Sequence, residues 1–203
     1  METLASHFNQ WGGVIFFVVI YSVALLFVPF YKKMDKKPAK AYFAFVLAFA
    51  IEMHGIPYSM FMISGIIGRK LPNGVLWGHT LFEKIGYTGM YINIVLSVIG
   101  LAIIINGWYN IYHKYWSKDK GKGELVTTGI YKYIRHPQYT GFLLITLGMI
   151  FEWATLPMLI MWPFIIILYL RLAKKEEQDM IIEFGEEYRM YMDKTKRFIP
   201  FLA

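Results

Sequence analysis

Apolar positions in this chain come in long unbroken blocks, not in the alternation of a half-buried strand or the spacing of a surface helix. Residues 12–31 form a run of 20 positions without a charge, long enough as a helix to cross ~30 Å of hydrocarbon. Residues 41–67 make a second run, interrupted by Glu52, His54 and Pro57; residues 87–109 make a third, with Asn93 and Asn106 as its strongly polar members. From position 137 to 170 the only charge is Glu152. As one helix that stretch would be ~50 Å long, too much for a single span, so it must fold back. The natural turn is Glu152-Trp153-Ala154-Thr155, ahead of Pro157, because proline is tolerated in the first turn of a new helix. The pattern predicts an all-α polytopic membrane protein with five transmembrane helices, the fourth short and the last two a hairpin. It reads as a single domain, 1–203, with three N-terminal spans in 1–110 and the remaining elements in 111–203.

The distribution of cations sets an orientation. Residues 32–40 hold five lysines, 110–136 hold six cations and the tail from Arg171 onward holds seven. Only Arg69, Lys70 and Lys84 fall elsewhere, so five spans put 18 of the 21 cations on one side. The positive-inside rule then places the N-terminus outside and the C-terminus in the cytoplasm. An even number of spans would scramble the pattern. Beyond the fifth span, Ile181, Phe184, Tyr188 and Tyr191 recur at spacings of three and four. That stripe predicts a cytoplasmic C-terminal amphipathic helix lying against protein or headgroups.

Composition narrows the chemistry. Hydrophobic residues make up 57 % of the 203 positions and charged residues 17 %, too apolar for a soluble domain of this size. No cysteine is present, which removes disulfides, thiolate metal sites and cysteine nucleophiles. The first apolar block has no basic leader or small-residue cleavage site and reads as a retained span. No His/Asp/Glu spacing makes a metal site, and nothing points to nucleic acid. Membrane lipids are the expected surroundings; the oligomeric state is left open.

The candidate chemistry lies in two polar clusters flanking the hairpin. Residues 121–141 read GKGELVTTGIYKYIRHPQYTG. Pro137 disfavours helical geometry at His136, so a bend there is expected to leave backbone amides free for a polar ligand. Arg135 supplies a fork of donors suited to a carboxylate, His136 a donor or acceptor near neutral pH, and Tyr131, Tyr133 and Tyr139 flat surfaces with polar tips. The plainer reading is that Arg135 and the lysines meet headgroups and the tyrosines form an interfacial belt. The second cluster is Glu176-Glu177, in RLAKKEEQDMIIEFGEEY. Glu177 aligns with Ile181 and Phe184 and needs a partner, for which Lys174 and Lys175 are the nearest candidates; a solvated charged face is the alternative.

Arg135-His136-Pro137-Gln138-Tyr139-Thr140-Gly141, preceded by LVTTGIY and followed by the Glu pair, FGEEYxxY and Arg197-Phe198-Ile199-Pro200, resembles the isoprenylcysteine carboxyl methyltransferase and phospholipid methyltransferase superfamily. The likeness covers about residues 123–200. It implies a membrane methyltransferase that uses S-adenosyl-L-methionine, yields S-adenosyl-L-homocysteine and holds the cofactor near the cytoplasmic face in the 111–203 part. Glu124, Leu125, Val126, Tyr131, Arg135, His136, Pro137, Gln138, Tyr139, Glu176 and Glu177 are the cofactor-binding positions it implies. Methyl transfer to a carboxylate or thiolate needs alignment and exclusion of water but no general base. No catalytic acid–base residue is assigned.

The acceptor implied is a lipophilic small molecule or lipid, such as a prenylcysteine-type carboxylate. Isoprenylcysteine methyltransferases carry an arginine four residues before the first Glu of the pair; here that position is Leu172, with Arg171 one residue earlier. A one-residue offset is a rotation of about 100° on a helix, which weakens that particular acceptor while leaving Arg171 as the expected anchor for an anion. Glu52 and His54 sit inside the second span, where polar groups are costly; they are expected either to meet substrate or to satisfy one another or Asn93. Alternatives are a phospholipid amine N-methyltransferase, a small-thiol S-methyltransferase, a sterol-reductase-like NADPH enzyme and a non-enzymatic transporter.

Overall fold

The computed structural model describes residues 11–27, 37–51, 87–116, 123–152 and 156–200. The described residues are helical apart from turns, the irregular stretch 123–128 and one isolated two-residue pairing, Ile134 with Lys196. Helix α1 covers Trp11–Ser22 and continues as a 3-10 turn over Val23–Phe27; α2 covers Lys37–Ala50. Helix α3 covers Thr88–Ile111, α4 Pro137–Glu152, α5 Leu156–Phe184 and α6 Glu186–Lys194. One helix among the described residues, Thr88–Tyr115 in its full extent, is long and apolar enough to cross a membrane. The second expected run is described only to residue 51, so Glu52 and His54 lie outside the described residues.

The packing of α3 on α4 organises the bundle. The two helices run antiparallel, with Gly89 beside the backbone of Phe151, Gly100 against Gly141, and Gly148 against Asn93. A Cβ added at Gly100 would lie 2.6 Å from the Gly141 carbonyl oxygen, and one at Gly148 2.6 Å from the Asn93 side chain. Small residues let the backbones approach this closely, which matters most where lipid removes the hydrophobic drive for helices to associate. The opposite face of α3 shows Tyr91, Ile94, Val95, Val98 and Ile99 outward, a contiguous apolar surface suited to an apolar exterior.

Against this pair, α2 sets Tyr42, Phe45, Val46 and Phe49, spaced by helical turns, onto Phe142, Ile145 and Met149 of α4 and Met158, Ile165 and Tyr169 of α5. Tyr42 stacks on Phe142 with ring centres 4.5 Å apart. Several polar groups within the bundle are paired, Ser22 Oγ being a buried exception among the described residues. Asn93 donates to the Tyr21 hydroxyl at 2.6 Å and to Glu152, and Ser97 donates to Asn93 at 2.9 Å. The expected fold-back is seen as an antiparallel helix pair. Trp162 of α5 donates to Thr146 of α4 at 3.2 Å, and Tyr169 stacks on Tyr139 near the other end.

One expectation needs correction. The stripe Ile181, Phe184, Tyr188, Tyr191 does not lie on one helix, because the chain breaks at Gly185 (φ +59°). That left-handed conformation is cheap only for glycine, and it lets α6 turn back so that Tyr188 and Tyr191 are buried.

Gly100→Val is expected to lower the thermal unfolding midpoint of the detergent-solubilised protein, at a cost of roughly 1–3 kcal/mol or more from overpacking. Gly12→Val, at a position with nothing within 4 Å, is expected to leave it unchanged.

Candidate functional site

Pro137 opens α4 and leaves the preceding residues extended, where they pair with the segment after α6. The Arg135 amide donates to the Lys196 carbonyl at 2.8 Å, and the His136 amide to the Arg197 carbonyl at 3.1 Å. The bend forms as expected, but these two amides are not free for a ligand: the C-terminal segment takes them. With the backbone fixed, the side chains of 125–139 converge on α5.

Between them lies a cavity of about 680 Å³. Leu125, Val126, Tyr131, Arg135, His136, Pro137, Gln138 and Tyr139 line one side, and Leu172, Lys175, Glu176, Asp179, Met180, Ile182 and Glu183 of α5 the other. Ile111 at the end of α3 and Tyr115 just beyond it, with Phe184, Tyr188 and Tyr191, complete the wall. Nine of the expected cofactor positions therefore share one cavity: Leu125, Val126, Tyr131, Arg135, His136, Pro137, Gln138, Tyr139 and Glu176. Glu124 is exposed and outside the wall, Glu177 lies behind it, and Arg171 is exposed on another face of α5. The rotation that separates Arg171 from Leu172 explains the last: Leu172 is buried against the cavity and its neighbour is turned away.

Glu177 is 3 % exposed and fully engaged. Its Oε1 accepts from Arg135 Nε at 2.8 Å, and its Oε2 from Arg197 Nη2 at 2.6 Å. Arg135 is committed as well, donating through Nη1 to the carbonyls of Met192 (3.1 Å) and Thr195. The partners of Glu177 are thus Arg135, Arg197 and His136, not Lys174 or Lys175, and the Arg135 fork is turned largely into protein. Glu177 would be pushed up by burial, but hydrogen bonds from His136, Arg197 and Arg135 hold it well below the usual carboxylate range.

His136 presents Nδ1 to Glu176 Oε2 at 3.3 Å and Nε2 to Glu177 Oε1 at 3.4 Å. Ionised carboxylates only accept, and a neutral imidazole has a single N–H, so this arrangement calls for the doubly protonated ring. Burial opposes that charge, but the hydrogen bonds the ring donates to Glu176 and Glu177 outweigh it and raise the pKa above its ordinary value of 6.5. Tyr139 stacks on the imidazole at 5.6 Å and donates to Glu176. At the far end Tyr115, Val126 and Tyr131 form an apolar cluster with Phe184 packed on it. There Tyr115 donates to Glu183 at 2.5 Å. The wall thus offers flat apolar surface at one end and an imidazolium–carboxylate pair at the other.

Asp179 and Glu183 join the wall without a sequence expectation, and Lys175 lines it instead of pairing with Glu177. Their signal is the register of α5, since 172, 175, 176, 179, 180 and 183 recur at spacings of three and four. The motif alone assigns Arg197 no partner, because a contact between residues 177 and 197 depends on the turn at Gly185.

A family model described as phospholipid methyltransferase matches residues 83–187. A protein-S-isoprenylcysteine O-methyltransferase from Schizosaccharomyces pombe is 27 % identical over 168 residues, covering 73 % of this chain and 69 % of that protein. One from Mus musculus is 24 % identical over 151 residues, covering 73 % and 53 %. A probable one from Oryza sativa subsp. japonica is 26 % identical over 123 residues, covering 58 % and 62 %. The chain spans less than two thirds of the mouse and rice relatives' lengths.

The raised His136 pKa contributes stability that is complete below 6.5 and lost as pH rises through the folded value. The depressed Glu177 pKa contributes stability that is complete above 4.5 and lost as pH falls through the folded value. The thermal midpoint should therefore decline on the alkaline side because of His136 and on the acid side because of Glu177. Comparing midpoint–pH curves of wild type and His136→Gln should show the variant flatter on the alkaline side.

Proposed function

The chain belongs to the phospholipid methyltransferase family, and on that premise we propose an integral membrane enzyme that moves a methyl group from S-adenosyl-L-methionine to a lipophilic acceptor with an anionic head, such as a prenylcysteine-type carboxylate. The observation that carries this reading is the cavity shared by the 125–139 segment and Glu176 of α5, inside the span of the family match. Its volume falls within the ~300–1,000 Å³ usual for ligand pockets.

The wall suits the cofactor's chemistry. Val126, Tyr131 and Phe184 would take an adenine ring on flat apolar surface. Asp179 and Glu183 would accept from ribose hydroxyls or an ammonium, and Glu176, with its charge shared by His136 and Tyr139, would hold the amino-acid end through that pair. When bound, S-adenosylmethionine supplies an electrophilic methyl on a cationic sulfur. The chain's own part is to orient the reactants and keep water out, which can supply several kcal/mol. No proton need be held or moved for a carboxylate acceptor.

The register of α5 supports an anionic head. Arg171 faces away from the cavity, whereas Lys175, one turn beyond the buried Leu172, lines it. Lys175 makes no hydrogen bond or ion pair among the described residues, while Arg135 is committed to Glu177. Lys175 therefore replaces Arg171 in our reading as the anchor. A second reading, N-methylation of a phospholipid amine, is favoured by Asp179 on the same wall and by the family's description. Whether Glu52 and His54 assist the acceptor belongs to the proposal too, as do the five-span topology and the cytoplasmic placement of cavity and C-terminus. The support for that topology is the cation asymmetry.

Titrating the purified protein with S-adenosylmethionine in a calorimeter should give saturable heat, reduced at least about tenfold in affinity by Glu176→Ala or His136→Ala. No heat with wild type would overturn the reading. In a methyl-transfer screen, Lys175→Glu should raise KM for a prenylcysteine carboxylate and leave a phosphatidylethanolamine acceptor unimpaired. The reverse pattern would favour the amine.

A further inference from the structure

Arg197 does more than close the chain against the bundle. The segment after α6 runs beside residues 133–136, with Lys196 donating to the Tyr133 carbonyl at 3.2 Å and accepting from Arg135, and with Thr140 donating to the Phe198 carbonyl at 2.8 Å. This strap brings the Arg197 guanidinium onto Glu177, with Nη2 at 2.6 Å from Oε2 and Nε at 3.1 and 3.2 Å from the two oxygens. Arg135 already neutralises the same carboxylate at 2.8 Å. A second guanidinium therefore exceeds what burial of one charge requires.

What the second guanidinium changes is the competition for Glu177. The ring of His136 is clamped in its plane by Tyr139, stacked at 8°, and by Phe198 of the strap, edge-on at 5.9 Å. Within that plane two carboxylates face its nitrogens, Glu177 at 3.4 Å and Glu176 at 3.3 Å. The charged and titratable groups around it are Glu176 and Glu177 of α5, Tyr139 of α4, Arg135 on its own segment and Arg197 on the strap, with Tyr188 of α6 near Glu177. Glu177 thus divides its charge among two guanidiniums and the imidazolium, whereas Glu176 meets the ring and Tyr139. The ring's charge is then available to Glu176, on the cavity wall.

We propose that Arg197 and Glu177 are positioning residues that act through His136, aiming its protonated ring at Glu176 and so setting the geometry of the ligand-facing wall. Neither residue lines the cavity. The importance of His136 to a methyl donor rests on the function proposed above; the coupling between Arg197 and His136 does not.

The test follows the imidazole directly. In wild type, Arg197→Ala and Arg197→Lys, the His136 titration is measured by NMR on the histidine-labelled, detergent-solubilised protein, and S-adenosylmethionine binding by calorimetry. Loss of the guanidinium removes a nearby cation and frees Glu177, so Arg197→Ala should move the His136 pKa upward by about half a unit or more. Donor affinity should fall roughly 10- to 100-fold as the wall is misaligned. Arg197→Lys, which keeps the charge but not the fork, should shift both in the same direction by less. If the alanine variant does not fold, the lysine variant decides alone. An unchanged His136 titration in a folded variant, with or without lost stability, would overturn the proposal and reduce Arg197 to a structural strap. Should wild type bind no S-adenosylmethionine, the functional reading fails, and the titration still decides the coupling.

Discussion

A carboxylate withdrawn from water in so apolar a chain has to be answered by cations, and Glu177 is the group on which the cavity-bearing part of the molecule is built. Its two oxygens draw together Arg135 from before α4, Arg197 from after α6 and, at longer range, His136. They come from two stretches far apart in sequence, 135–136 and 197, which backbone hydrogen bonds between 133–136 and 196–197 also hold side by side. A paired buried charge is weak evidence for stability, since desolvation offsets much of the attraction. What it supplies is a specific geometry. If any cation is displaced, the others are left facing an under-compensated charge, so alternative arrangements of the strap are disfavoured.

The glycine seam does comparable work in the bundle. Where Gly100 meets Gly141 the two backbones are nearly in contact, and further along Gly107 abuts the ring of Pro137. That second contact matters for the site. It holds the first residue of α4 against α3, so the extended residues just before Pro137 start from a fixed point. Close helix packing and buried ion pairing thus act on the same bend from opposite sides, one through dispersion and shape, the other through charge.

The cavity divides chemically along α5. Near Leu172 and Lys175 the wall is closest to the long apolar part of the helix, where a lipophilic molecule would arrive from a bilayer; around Glu183 and Phe184, about three turns further on, it is lined by Tyr115 and Val126. His136, Tyr139 and Glu176 lie toward the first end. A polar cofactor and an apolar acceptor can approach such a site from opposite directions, which is the arrangement a transfer reaction between unlike molecules needs.

Much of this architecture was legible along the chain. The third apolar run and the fold-back after Glu152 follow from the lengths of apolar blocks, because helix rise is fixed and backbone hydrogen bonds must be met locally. The bend at His136 follows from Pro137, a property of one residue and its neighbour. Glu176 and the 125–139 residues carry the motif, and the family match spans all of them. Other features depended on where the chain returns in space. For Glu177 the sequence offers only its neighbours Lys174 and Lys175 or a solvated face, whereas its guanidinium partners lie 20 and 42 positions away. The apolar stripe was continued through Gly185 because periodicity carries no information on φ. The one-residue offset of Arg171 from position 172 is visible in the sequence, but which side of α5 meets the cavity is not, and it is Lys175 that lines it. Local propensity and block length were determined by the sequence itself; the pairing of charges and the facing of side chains were decided only by tertiary contact, because those energies exist only once distant segments share a desolvated space.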